Sequence, residues 1–132
     1  MANLKYLLDT NILSEIIRQP GGYTAKKIAT LESEESCCTN VIVACELRYG
    51  EQKKDSPVLT AKVNQLLETI VVLPLKSNIE GHYARLRVML EPIGSNDLLI
   101  AAHAYALGLV LVTGNVKEFS RIPDLVVENW LE

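Results

Sequence analysis

The chain has 132 residues, of which 48% are hydrophobic and 22% are charged. This length suits one globular domain, and this composition excludes a disordered chain. Thirteen Lys and Arg against 16 Asp and Glu give a net charge of −3, which excludes a strongly basic nucleic-acid-coating protein but leaves room for a local site. No apolar run approaches the roughly 20 residues that span a bilayer, so we expect no membrane segment. The first residues lead directly to Asp9, and we expect no secretory signal.

The cysteines and the hydropathy indicate where the protein works and how much of its surface is covered. Three cysteines are an odd count, and Cys37 and Cys38 are neighbours that rarely pair with each other. Reduced thiols are therefore expected, which favours a cytoplasmic protein. The mean hydropathy of +0.15 is high for a small domain and suggests an apolar surface that a partner covers.

Strand-like and helix-like periodicity alternate along the whole chain. The predicted strands are 4–8, 36–39, 70–75, 109–112 and 125–127, and the predicted helices are 11–19, 24–35, 41–50, one that opens at Pro57, 78–90 and 95–107. Asn40 is expected to cap the third helix, and Gly108 to end the last one. Strands separated by helices predict a parallel sheet with helices on both faces, that is, a three-layer α/β fold in a single domain spanning residues 1–132.

Three acidic residues stand in apolar surroundings, where a carboxylate is costly unless a cation or several donors compensate it. Asp9 ends the first apolar run, and Asp97 precedes the apolar residues 98–102. Glu46 shares a helical face with Ile42 and Val43. Each acid also has a plain structural explanation, since the two aspartates could cap helices and Glu46 could reach water at the edge of its apolar stripe.

Taken together, these acids predict a site at one edge of the sheet. The carboxyl ends of parallel strands open onto one edge, where ligands of such folds bind. Asp9 leaves the first strand there, Asp97 begins a helix, and residues 113–115 leave the strand 109–112. Oxygen ligands without histidine or thiolate suit Mg²⁺ or Mn²⁺. His103, in an alanine-rich helix, is instead expected to be packed or to lie at an interface.

Four blocks of this sequence resemble PIN-domain nucleases, and specifically the VapC-type toxins of bacterial toxin–antitoxin pairs. They are Tyr-Leu-Leu-Asp-Thr-Asn-Ile-Leu at 6–13, Glu-Leu-Arg-Tyr-Gly at 46–50, Ile-Gly-Ser-Asn-Asp-Leu-Leu-Ile-Ala-Ala-His-Ala at 93–104, and Leu-Val-Thr-Gly-Asn-Val-Lys-Glu-Phe at 111–119. Each block alone is weakly specific, but all four occur in order over the whole chain. The resemblance implies a PIN fold with a central parallel five-stranded sheet flanked by helices. It also implies an Mg²⁺- or Mn²⁺-dependent endoribonuclease, with tRNA one candidate target.

The resemblance also assigns residues and partners. Position by position, it makes Asp9, Glu46 and Asp97 the catalytic metal ligands and Asn115, where many relatives have a fourth aspartate, a weaker one. The residues expected to support the site are Thr10, Asn11, Asn96, Thr113 and Glu118. It further implies a VapB-type antitoxin and either a homodimer or a toxin–antitoxin hetero-oligomer.

Two further surfaces are predicted to contact partners. An antitoxin tail is expected to cover an apolar groove formed by helices 11–19 and 24–35 and to place an arginine against the carboxylates. The side chains that we expect to contact RNA are Arg48, Tyr49, Lys53 and Lys117. Two alternatives stay open, a PIN fold kept only as a non-catalytic interaction module and a DNA-directed PIN nuclease. A phospho-acceptor receiver domain is disfavoured because Asp9 is followed by Thr10 and not by a second acid.

Overall fold

Five parallel strands form one sheet in the computed structural model, which describes residues 3–31, 36–90 and 93–131. The strands are β1 (Tyr6–Leu8), β2 (Cys37–Asn40), β3 (Val71–Leu73), β4 (Val110–Val112) and β5 (Val127–Glu128), in the spatial order β3-β2-β1-β4-β5. The first strand is central, and Leu7 faces Cys38 on one side and Leu111 on the other. The predicted three-layer α/β architecture with its parallel sheet is confirmed.

Helices connect the strands. They are α1 (Thr10–Arg18), α2 (Tyr23–Ala29), α3 (Val41–Lys54), α4 (Pro57–Thr69), α5 (Glu80–Met89), α6 (Ser95–Leu107) and α7 (Val116–Phe119), and a 3₁₀ turn (Ser77–Ile79) precedes α5. Asn40 caps α3 as predicted, since its Oδ1 accepts a hydrogen bond from the backbone N–H of Val43 at 2.9 Å. Gly108 ends α6 in the left-handed region with φ +67°, where glycine carries no steric penalty. No helix within the described ranges has both the length and the apolar character to cross a membrane.

Two predicted helix ends were wrong by a turn or more, and one short helix was missed. The helix predicted at 24–35 ends at Ala29, where the Thr30 hydroxyl and backbone N–H bond to carbonyls of the last turn, and residues 32–35 lie outside the described residues. Helix α3 continues past Gly50 to Lys54 and ends at Asp55, which adopts φ 50°. The short helix α7 was not predicted at all, because four residues are too few to display a period.

The two central strands, β1 and β4, are packed in the core beneath the edge where the acids lie. Leu7, Leu8 and Leu111 are fully or almost fully buried. The Thr39 hydroxyl donates to the carbonyl oxygen of Leu8 at 2.9 Å and so fixes β2 against the end of β1. A residue that directly follows β1 therefore leaves the sheet at a well-defined position.

Candidate active site

A cleft of about 380 Å³ opens at the carboxyl edge of β1 and β4. Side chains with oxygen or nitrogen atoms line it: Asp9, Thr10, Asn11, Ser14, Arg18, Glu46, Asp97 and Asn115. Asp9 precedes α1, Glu46 lies in the middle of α3, and Asp97 lies in the first turn of α6. Three separate helices thus bring the three predicted acids to one cleft.

Asp9 is both a helix cap and a wall of the cleft. Its side chain is 5% exposed, and its Oδ1 accepts a hydrogen bond from the Thr10 backbone N–H at 2.7 Å. Its Oδ2 accepts a second hydrogen bond, from the Thr113 hydroxyl, at 2.8 Å. Burial raises the pKa of Asp9 above its usual value, the two hydrogen bonds oppose this rise, and the charge of Glu46 adds to it. Asp9 therefore caps α1, as its plain structural explanation held, and it also lines the cleft.

Glu46 is held toward the cleft by the first residue of α1. The Thr10 hydroxyl donates a hydrogen bond to Glu46 Oε1 at 2.6 Å. The next residue, Asn11, accepts a hydrogen bond from the backbone N–H of Gly114 at 3.0 Å, which ties α1 to the loop after β4. A Cβ on Gly114 would lie 2.6 Å from Leu131 and 3.2 Å from Asn11, so glycine lets this loop approach closely.

Asp97 is the third carboxylate that lines the cleft, and its pKa lies well above its usual value. Burial raises its pKa to about 6, and the charges of Asp9, Glu46 and Glu118 add to the rise. A carboxylate that served only to stabilise the start of a helix would have a lowered pKa, since the helix dipole favours its charged form. Asp97 instead lies in the negative field of Asp9, Glu46 and Glu118, which disfavours its charged form.

The donor set fits a hard divalent cation, because the described residues that line the cleft include carboxylate, amide and hydroxyl oxygens but neither histidine nor cysteine. Across the described parts of the chain, no three His, Cys, Asp or Glu side chains lie close enough together to hold an ion as they stand. In this arrangement Asp9 accepts a hydrogen bond from Thr113 and Glu46 accepts one from Thr10. A bound ion would have to draw the carboxylates inward.

The other predicted site residues divide into two groups. Thr113 is buried behind Asp9, and its Oγ1 accepts a hydrogen bond from the backbone N–H of Asn115, whose side chain lines the cleft. Glu118 does not line the cleft and forms an ion pair with Arg121 at 3.4 Å. Its negative charge nevertheless contributes to the raised pKa of Asp97. Asn96 is exposed and does not line the cleft.

None of the four predicted RNA contacts lines the cleft. Arg48 is bonded to Asn64 Oδ1 at 2.5 Å and to Glu51 at 3.4 Å, so it links α3 to α4. Tyr49 is 68% exposed, and Lys53 and Lys117 are also exposed. These contacts stay predictions.

Two residues that line the cleft were missed from the sequence, Ser14 and Arg18. Their signal was present, because they follow Thr10 at intervals of four and so lie on the same face of α1. Arg18 is the one basic residue among the described residues that line the cleft, and its guanidinium pairs with Glu15.

Apolar hollows continue from the cleft along α1 and α4. One of about 650 Å³ shares Thr10, Arg18 and Glu46 with the cleft. A second, of about 340 Å³, adjoins the first at Ile17 and Lys62. A third, of about 660 Å³, reaches α2 and β3. We call these three hollows together the α1–α4 groove. The apolar groove predicted between α1 and α2 corresponds to the third hollow, the one that reaches α2. Helix α4 also lines the groove, which the sequence did not predict.

The PIN domain family model matches residues 6–125 of this chain. The chain belongs to the PIN domain family. Over 131 residues this PIN-domain protein is 38% identical to Ribonuclease VapC2 of Rickettsia felis, a match that covers 95% of this chain and 97% of the relative. It is 32% identical over 132 residues to the tRNA(fMet)-specific endonuclease VapC of Salmonella typhimurium, with 96% and 98% covered.

A solved structure shows the same fold. The crystal structure of VapBC2 from Rickettsia felis, bound to a DNA fragment from its promoter, contains a chain that superimposes on this PIN-domain protein with a TM-score of 0.87. The two chains are 35% identical, and the match covers 96% of this chain and 99% of the other. The expected PIN fold is thereby confirmed, and the relatives place this chain among the VapC proteins.

Proposed function

We propose that this PIN-domain protein is the toxin of a type II toxin–antitoxin pair, an endoribonuclease that needs Mg²⁺, or Mn²⁺ in its place. The observation that carries the proposal is the convergence of Asp9, Glu46 and Asp97 on one cleft in which Asp97 has a pKa of about 6. Such a carboxylate cluster is strained without a cation and is typical of a functional site. The names of the relatives support RNA as the substrate, with tRNA one candidate.

Asp9, Glu46 and Asp97 would hold the cation, and Asn115 would be a weaker ligand. A divalent ion in such a site makes a bound water more acidic and stabilises negative charge on a phosphodiester. Thr113 and the Thr10 backbone orient Asp9 by their hydrogen bonds. If water is the nucleophile, the ribose 3′ oxygen leaves and the product carries a 5′-phosphate.

The α1–α4 groove supports a VapB-type antitoxin as the partner. The groove is largely apolar, is continuous with the cleft, and would receive an extended or helical tail. An arginine at the end of such a tail would pair with the carboxylates and displace the cation. The family resemblance further supports a homodimer or a toxin–antitoxin hetero-oligomer. The free thiols of Cys38 and Cys45 are compatible with a reducing compartment such as the cytoplasm.

RNA cleavage by purified variants tests the proposal. With mixed tRNA as the probe, the wild-type protein should cut in Mg²⁺ and not in EDTA. Asp9→Asn, Glu46→Gln and Asp97→Asn should each reduce cleavage to background, whereas Glu68→Gln, which removes an exposed carboxylate on α4, should not.

Three outcomes would contradict the proposal. Folded Asp97→Asn protein that cuts at the wild-type rate would refute the assignment of the site. Cleavage of a single-stranded DNA probe but not of RNA would favour a DNA-directed nuclease. A wild-type protein that binds its antitoxin but cuts neither probe would favour the interaction module.

A further inference from the structure

A buried polar pair lies outside the cleft and has no part in the chemistry proposed above. Asn40 ends β2 and is fully buried, and His103 on α6 is 3% exposed. Asn40 Nδ2 and His103 Nδ1 are 3.0 Å apart. Buried polar side chains are normally hydrogen-bonded, and these two bond to each other.

The hydrogen bonds of Asn40 fix the protonation state of His103. Asn40 Oδ1 already accepts from the Val43 backbone N–H as the cap of α3, so the amide group must turn its NH₂ toward the histidine. The NH₂ group only donates, and Nδ1 must therefore accept with its lone pair, which leaves the proton on Nε2. A second proton on this ring would put two donors face to face across 3.0 Å.

The pair joins the two helices that carry Glu46 and Asp97. Asn40 lies six residues before Glu46 at the start of α3, and His103 lies six residues after Asp97 on α6. Apolar packing between helices is non-directional and permits small shifts, whereas a buried hydrogen bond specifies a distance and an angle. We propose that the Asn40–His103 hydrogen bond is a positioning element that sets the separation of α3 and α6, and thereby that of the Glu46 and Asp97 carboxylates. This inference rests on the proposed metal site.

Two variants break the link in different ways. His103→Leu removes the acceptor while keeping comparable side-chain bulk. Asn40→Ser keeps an oxygen that can cap α3 at Val43 but removes the amide that donates to His103. His103→Asn is the conservative partner, because its Oδ1 takes the place of Nδ1 as an acceptor.

The matched control is Thr24→Val. It deletes another buried hydrogen bond, from the Thr24 hydroxyl to the Trp130 carbonyl oxygen at 2.8 Å, but on α2, which carries none of the three carboxylates. A loss of stability common to all buried hydrogen bonds will appear in this variant as well.

The experiment measures three quantities on the purified proteins: the histidine tautomer by ¹⁵N NMR, the Mg²⁺ concentration that gives half of the maximal thermal stabilisation, and kcat and KM for mixed tRNA. In the wild type, His103 should be neutral with its proton on Nε2. His103→Leu and Asn40→Ser should each raise the Mg²⁺ midpoint by about tenfold or more and lower kcat similarly, as is typical when residues that orient metal ligands are lost. KM should change less than twofold, and His103→Asn should restore most of the Mg²⁺ affinity.

Several results would overturn the inference. A proton on Nδ1 of His103 contradicts the hydrogen-bond assignment. Variants that melt lower, as Thr24→Val does, but keep the wild-type Mg²⁺ midpoint show that the pair only stabilises the fold. If His103→Leu does not fold, the same comparison is made with Asn40→Ser. A wild-type protein that cuts no RNA, while both link variants still shift the Mg²⁺ midpoint, refutes the proposed ribonuclease but supports the positioning role.

Discussion

Replacing Asp97 by asparagine should make the metal-free protein more stable at neutral pH. The pKa of Asp97 is about 6 against an ordinary value of 3.8, because burial and the charges of Asp9, Glu46 and Glu118 disfavour its ionised form. A raised carboxylate pKa means that the folded state binds the proton more tightly than the unfolded state does. The stability that Asp97 contributes is therefore fully present below its unfolded pKa and is lost as pH rises from about 4 through about 6.

The size of the gain follows from this shift. A difference of about two pKa units corresponds to about 3 kcal/mol, but Asp97 is only half-buried and solvent screens part of the repulsion. We therefore expect Asp97→Asn to raise the free energy of unfolding by about 1–2 kcal/mol at pH 7.5 in EDTA. Near pH 4, where wild-type Asp97 is largely protonated, the two proteins should differ little.

Urea denaturation of both proteins at the two pH values, in EDTA and in excess Mg²⁺, measures these differences. Mass action should stabilise the wild type by about 2.7 kcal/mol at a Mg²⁺ concentration 100 times the Kd, and the variant much less. Glu68→Gln serves as the control and should change stability by less than about 0.5 kcal/mol. An Asp97→Asn protein that unfolds more easily than the wild type in EDTA at pH 7.5 would show that Asp97 is only a structural residue of α6.

Three other predictions concern the rest of the site. Thr113→Val should lower stability by about 1–3 kcal/mol, because it leaves Asp9 Oδ2 without its buried donor, and thermal melts should show Thr113→Ser restoring most of the loss. Ile16→Asp, in the α1–α4 groove, should abolish co-purification with the co-expressed antitoxin, whereas Val88→Asp, on the exposed face of α5, should not; equal capture of both variants would exclude the groove. At limiting Mg²⁺ the rate of RNA cleavage should rise with pH through about 6 as Asp97 loses its proton, and a flat rate profile between pH 5 and 7 would contradict this role.

Local chemistry made much of the fold predictable. Asn40 caps α3, Pro57 begins α4 and Gly108 ends α6, each for a reason that a single residue carries. The end of α2 was not predictable in this way. Leu31 continues the apolar period of that helix, but it follows the turn at Thr30 and lies beyond the helix end.

The site residues were predictable where an acid stands among apolar residues, because burying an uncompensated carboxylate costs free energy. Asp9, Glu46 and Asp97 stood out for that reason, and all three line the cleft. Ser14 and Arg18 lie on α1, an amphipathic helix on which polar residues are common. Their residue types therefore did not distinguish them from ordinary surface residues. The Asn40–His103 pair depends on a contact between β2 and α6, across 63 residues of sequence, that no local pattern records.

Manganese binding tests most directly whether the three carboxylates form a metal site. The EPR signal of free Mn²⁺, followed during titration into EDTA-stripped protein, reports the affinity without any need for an RNA substrate. The wild-type protein and Glu68→Gln should bind Mn²⁺ equally, and Asp9→Asn, Glu46→Gln and Asp97→Asn should each weaken binding by about tenfold or more. Wild-type affinity in folded Asp97→Asn protein would contradict the assignment of these carboxylates as metal ligands.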